Sequence, residues 1–151
     1  MDTKYLLYDN EHLVVQEPEK VAIIDKRLSH NNPFRSFWMA GFECSDKMNA
    51  FGNRVDLATA SGHLQLLEAD YERLSPFNMR TVREGIRWSQ VEKTPYSYNW
   101  SVVEQMIKTG IRKGIQQVWD ICHFGFPDDL TPLHPMFARR FAAVCKAFVL
   151  L

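Results

Sequence analysis

Cysteine is scarce in this chain and nowhere clustered. Cys44, Cys122 and Cys145 stand far apart in 151 residues, without metal-ligand spacing, and an odd count leaves no complete disulfide framework. Such usage fits a reducing compartment, most simply a cytoplasmic one. Glycine is sparse as well: none of the seven builds a G-x-G-x-x-G or a P-loop, so the nucleotide-binding chemistry of an open α/β sheet is missing. No cofactor and no metal are expected. Charge of one sign is absent, because 18 basic and 18 acidic residues cancel, and no net field favours nucleic acid or an anionic membrane. No apolar run approaches the ~20 residues that span a bilayer. The start, Met1-Asp-Thr-Lys-Tyr5, lacks the basic and apolar regions of a secretory signal.

What is present is the composition of a folded domain, 46% hydrophobic and 13% aromatic. Residues 1–35 mix short apolar pieces (Tyr5 to Tyr8, Leu13 to Val15, Val21 to Ile24) with charges and end in the turn-rich Ser29-His-Asn-Asn-Pro33. They read as an N-terminal extension with one or two short strands. From residue 36 the texture becomes regular. Phe37–Phe42 reads as a first strand, and a polar loop runs to Gly62. Leu64, Leu67, Tyr71 and Leu74 recur at helical spacing. Met79–Trp88 reads as a second strand. Ser101-Val-Val-Glu104 has the form of a capping box, Val103, Met106, Ile107 and Ile111 form the stripe behind it, and Gly114 supplies the left-handed stop. Ile115–His123 reads as a third strand, and a last helix from about Phe137 carries Phe141, Val144, Cys145 and Phe148 on one face. Strands alternating with helices imply parallel pairing with right-handed crossovers, in a doubly wound sheet or part of a barrel.

The richest segment is Val118-Trp-Asp-Ile-Cys-His123-Phe-Gly-Phe-Pro127, an apolar run closed by a histidine and shut off by a proline. A buried parallel strand reads this way, and in α/β barrels the carboxyl ends of strands carry the chemistry. Two segments then resemble a known family. Arg83-Glu-Gly-Ile-Arg-Trp88-Ser-Gln-Val91 is similar to the second barrel strand of family 1 glycoside hydrolases, R-F-S-I-S-W-S-R-I, and His123-Phe-Gly-Phe-Pro127 to the end of its third, H-W-D-L-P. The chain thus resembles the amino-terminal part of a β-glucosidase-like (β/α)8 TIM barrel: its first three βα units over residues 36–151, behind the extension of residues 1–35. It departs from the family's pattern in having Gly41-Phe-Glu43 where a glutamine motif stands, Glu84 after the arginine and Gly125 for the aspartate.

The resemblance implies a hydrolase of O-glycosyl bonds as parent and a carbohydrate as ligand. Arg83 would orient the nucleophilic carboxylate, and His123 would hydrogen-bond sugar hydroxyls. Glu43, at the end of the first strand, is a weaker third contact, and Trp88 a packing or platform residue. Such hydrolysis uses two carboxylates, which the family carries on its fourth and seventh strands. This chain alone is therefore expected to be inactive, with no catalytic residue of its own. Two readings from other classes remain open at this stage: a non-catalytic sugar-binding or scaffold protein on a degenerate barrel, and a small α/β domain that self-associates through unpaired sheet edges.

Strand alternation sets Arg83, Gly85 and Arg87 on one face and Glu84, Ile86 and Trp88 on the other; if the arginines face the barrel lumen, Glu84 must point toward the helices or find a basic partner, unless a bulge changes the parity. Arg83 could instead pair with Glu84 or Asp120. Asp120, mid-strand, reads as architectural. Asp128, Asp129 and His134 read as solvated turn residues, and Trp38 and Trp119 as core. Cys122 and His123 point to opposite faces, which excludes a thiol–imidazole pair.

Overall fold

The computed structural model describes residues 5–9, 12–16 and 32–151. The chain divides into two compact units, Met1–Arg35 and Ser36–Leu151. In the first, β1 (Tyr5–Asp9) and β2 (His12–Gln16) pair antiparallel, from Tyr5 opposite Gln16 to Asp9 opposite His12. The expected piece at Val21–Ile24 lies outside the described residues.

The second unit is α/β. Its centre is a parallel sheet of β3 (Ala40–Gly41), β6 (Thr81–Gly85) and β7 (Gln116–Asp120), in that order. Gly41 lies opposite Arg83, and Gly85 opposite Asp120. Between β3 and β6 come the hairpin β4 (Asp46–Met48) and β5 (Arg54–Asp56), the short α1 (Leu57–Ala60) and the crossover helix α2 (His63–Leu74). The short α3 (Trp88–Val91) and the crossover helix α4 (Ser101–Lys113) follow β6; α5 (Phe137–Val149) follows β7. Leu67 and Tyr71 of α2 and Met106 of α4 pack with Val82 and Ile115 into one core cluster. Ile86, Trp88, Val91, Val103, Leu130 and Val144 form a second, which joins α3, α4 and α5.

All three strands are shorter than the apolar runs that announce them. Phe37 and Trp38 are 70% and 68% exposed, so Trp38 is not core. The buried Ser36 explains why: its hydroxyl accepts from the Arg80 and Thr81 amides and donates to the Trp38 carbonyl, in place of a backbone ladder. β6 stops at Gly85 because Arg87 turns to φ 53° and sends its guanidinium 2.6 Å to Asp56. Arg87 therefore does not share a face with Arg83, and Trp88 starts a helix. The expected polar loop before Gly62 holds the hairpin and α1, whose first turn is capped by the Asp56 side chain.

The capping box is also corrected. Trp100 occupies the cap position with no side-chain bond, and the Asn99 side chain accepts from the Ser101 amide instead. Glu104 is left to pair with Lys108. Ile111 is exposed, because the helix meets the sheet through Gly110, where a Cβ would stand 2.7 Å from the Gln117 side chain. Gly114 ends α4 at φ 69°, as expected. Among the described residues, no helix is long and apolar enough to cross a membrane.

Candidate functional site

The parallel register brings the carboxyl ends of β3, β6 and β7 to one place. Phe42 extends the pairing past Gly41 by donating to the Arg83 carbonyl, which sets Glu43 just beyond the sheet. Arg83 reaches its neighbours on both sides. Its guanidinium lies 3.2 Å from Asp120 Oδ2 and 4.0 Å from Glu43 Oε2, and also donates to the Phe42 carbonyl. His123 completes the cluster from the loop after β7: Nε2 is 3.4 Å from Glu43 Oε1, and Nδ1 is 3.5 Å from Asp120 Oδ2. Four side chains, two carboxylates and two nitrogen bases, thus interleave at half-exposed positions.

Glu43 is the most firmly held. The Ser45 hydroxyl and amide donate to it at 2.6 and 2.8 Å, and together they hold its carboxyl below the usual range. Cys44 lies beneath the cluster, buried against Gly85, where a Cβ would come within 2.4 Å of the sulfur. Its Sγ is 4.0 Å from Asp120 Oδ2, and burial pushes the thiol pKa up to about 11. Among the described residues, Cys44, Asp120 and His123 offer donor atoms that all lie within 4.8 Å of one another. Phe124, beside His123, is 68% exposed with φ 61°, its ring edge-on to the imidazole at 4.7 Å. It also lines a cleft of about 500 Å³ with Lys47, Met48, Arg54 and Phe126. A second cleft of about 410 Å³ is lined by Met79, Arg80 and Ile115, which precede β6 and β7, at the sheet end where α/β folds seldom place chemistry.

No protein-family model and no curated protein matches the chain. Among solved structures, an exo-beta-1,4-mannosidase from Opitutaceae bacterium strain TAV5 is similar to it at a TM-score of 0.49 and 14% identity, over 70% of this chain and 24% of that one. The chain thus spans about a quarter of that structure's length.

Of the four residues singled out by sequence, Glu43, Arg83 and His123 come together here. Trp88 does not: it is fully buried on α3, edge-on to Phe137, with its indole N–H donated to Glu92, so no ligand can stack on it. Asp120 and Cys44 also belong to the cluster: of the two partners open to Arg83 it is Asp120 that pairs with it, while Cys44 carried no signal that singled it out. Asp120 is the last residue of β7 rather than a mid-strand one, and its partners are His123 and Arg83. The three loop residues read as solvated turns have separate partners: Asp128 pairs with Arg54, Asp129 with Arg140, and His134 accepts from the Met136 amide. The Cys122 thiol donates to the Gly125 carbonyl, away from His123.

On the opposite face of β6, Glu84 has found its partners. It is 1% exposed and accepts from Tyr71 Oη at 2.6 Å, with His63 Nε2 at 3.1 Å. His63 Nδ1 lies 2.8 Å from Asp70, and Phe42 stacks on the ring at 3.8 Å. Burial opposes the charged imidazole, but the bonds to Glu84 and Asp70 outweigh it and raise the His63 pKa.

Proposed function

We propose that Glu43, Arg83, Asp120 and His123 form a carbohydrate subsite in the first three βα units of a glycosidase-type (β/α)8 barrel. The observation that carries this reading is the interleaving of donors and acceptors at the carboxyl ends of adjacent parallel strands. A sugar hydroxyl both donates and accepts, so neighbouring hydroxyls fit a row in which guanidinium and imidazole alternate with carboxylates. The exposed Phe124 ring adds an apolar face beside that row. Arg83, hydrogen-bonded to Asp120 and 4.0 Å from Glu43, is suited to orient a further carboxylate. The parent's activity is hydrolysis of an O-glycosyl bond, while this chain supplies subsite residues and neither of the two catalytic carboxylates. Trp88 plays no part in binding.

The test is a titration of the purified chain with glucose, mannose and an aryl glycoside, followed by protein-observed NMR. Resonances of the strand ends shift with at least one sugar, and His123→Ala weakens that binding about tenfold, the ~1.4 kcal/mol of one hydrogen bond to a charged or strongly polar partner. No aryl glycoside is hydrolysed. Absence of any sugar-dependent shift overturns the subsite, and turnover that disappears in His123→Ala overturns the assignment of chemistry to other strands.

A further inference from the structure

We propose that Cys44, Asp120 and His123 form a three-ligand site for a borderline-soft divalent cation, zinc in the first instance, with its fourth position open toward the cluster. The proposal goes beyond the carbohydrate reading and does not rest on it. One sulfur, one imidazole nitrogen and one carboxylate oxygen form a donor set suited to zinc. Tetrahedral zinc, with bonds of about 2.3 Å to sulfur and about 2.0–2.1 Å to nitrogen and oxygen, separates its ligand atoms by roughly 3.3–3.6 Å. Here Cys44 Sγ and Asp120 Oδ2 are 4.0 Å apart and His123 Nδ1 and Asp120 Oδ2 3.5 Å. The His123–Asp120 edge already fits, the Cys44–Asp120 edge closes by a few tenths of an ångström, and all three ligand atoms start within 4.8 Å of one another.

Three surrounding features fit an ion better than a structural ion-pair cluster. First, the other imidazole nitrogen faces Glu43, and a carboxylate behind a histidine is the usual arrangement that fixes the ligating tautomer. Glu43 is itself anchored by both Ser45 donors. Second, Gly85 leaves room for the Cys44 sulfur against β6, a position that any side chain at 85 would occupy. Third, the charges balance: a Cys44 thiolate and the Asp120 carboxylate offset the two charges of the ion, and Glu43 offsets Arg83. Arg83 shares Asp120 Oδ2 with the site, since its guanidinium donates to the same oxygen that faces Cys44 and His123, so ligation of the ion draws on a second lone pair of that oxygen or turns the carboxylate to offer Oδ1. Three protein ligands with one open position characterise a zinc site that binds water or a ligand, rather than a closed structural one.

Titration with cobalt(II), a spectroscopic stand-in for zinc, tests the assignment. The wild-type chain develops a thiolate-to-cobalt charge-transfer band and intense visible bands of tetrahedral cobalt at one equivalent, and zinc bleaches both. Cys44→Ser abolishes the charge-transfer band. His123→Ala, at a partly exposed position, weakens zinc at least tenfold in competition with a chromophoric chelator while circular dichroism stays native. Cys122→Ser, whose thiol serves another loop, leaves both unchanged. The proposal fails if the wild-type chain shows no thiolate–cobalt band, or if the band survives Cys44→Ser and is lost with Cys122→Ser or Cys145→Ser.

Discussion

His63 shows how one side chain can make stability depend on pH. Its ring spans Asp70 on its own helix and Glu84 on β6, and it is 3% exposed. Because both partners stabilise the charged ring, its folded pKa lies above the ordinary 6.5. The contribution is therefore complete below the unfolded value and is lost as pH rises through the higher folded value. Urea midpoints measured from about pH 5.5 to about pH 9 fall across that window in the wild type, and the slope disappears in His63→Gln. The same variant is less stable at every pH, since Glu84 keeps only Tyr71; loss of a buried partner costs about 3–5 kcal/mol. A midpoint that rises over that range in the wild type contradicts the assigned charge. His63 was not legible as a partner. Alternation along β6 predicts that Glu84 faces the helices, but no local pattern indicates which residue of α2 meets it, because that depends on how the helix docks.

At the scale of elements, the alternation of strand and helix was legible, and the ends were not. Period and cap signals are local, so α2, α4, α5 and the Gly114 stop follow from the residues within each segment. Strand ends depend on distant groups: Ser36 breaks the approach to β3, and Asp56 draws Arg87 out of β6. The site divides in the same way. His123 could be picked out by its position at a strand end and Arg83 by the resemblance of its segment, whereas the joining of Asp120 and Cys44 to both depends on the parallel register that sets three carboxyl ends side by side. Gly110 within α4 and Gly114 just past its end separate steric from conformational demand. A methyl group at Gly114 meets nothing within 4 Å, but φ is 69°, so Gly114→Ala costs about 1 kcal/mol through backbone strain alone. At Gly110 the backbone is helical and alanine is favoured, but its Cβ meets the Gln117 amide at 2.7 Å. That amide bonds Tyr71 and the Met106 carbonyl. Gly110→Ala therefore destabilises by about 1–3 kcal/mol, and hydrogen exchange of β7 accelerates with it. If Gly110→Ala stabilises the chain, the close approach of helix and strand is wrong.

Across the second unit, three deeply buried carboxylates each hold a cation from another element. Glu84 of β6 binds His63 of α2, Asp46 of β4 binds Arg54 of β5, and Glu92, at the end of α3, binds Arg140 of α5. Each pair joins an element of the sheet or a connecting segment to a neighbour that apolar contact alone would allow to slide. Charged cross-links are a costly way to hold a core, because both ions lose water, but they accept only one geometry. The Glu92 pair reaches furthest. Glu92 also accepts from the Trp88 indole and the Tyr96 amide, and Arg140 extends to Asp129 in the loop before α5. Arg140→Met keeps the apolar bulk but strands the carboxylate, for a loss of about 3–5 kcal/mol and a fall in Tm of roughly 10 °C. The exposed Arg112–Glu68 pair between α4 and α2 is the control: Arg112→Met costs under about 1 kcal/mol. Adding Glu92→Gln to Arg140→Met restores most of the loss, because the neutral amide still accepts from Trp88 and Tyr96 while the uncompensated charge that destabilises the single variant is gone. Thermal melts of the four chains decide the matter, and a double variant no more stable than Arg140→Met removes the buried charge as the cause.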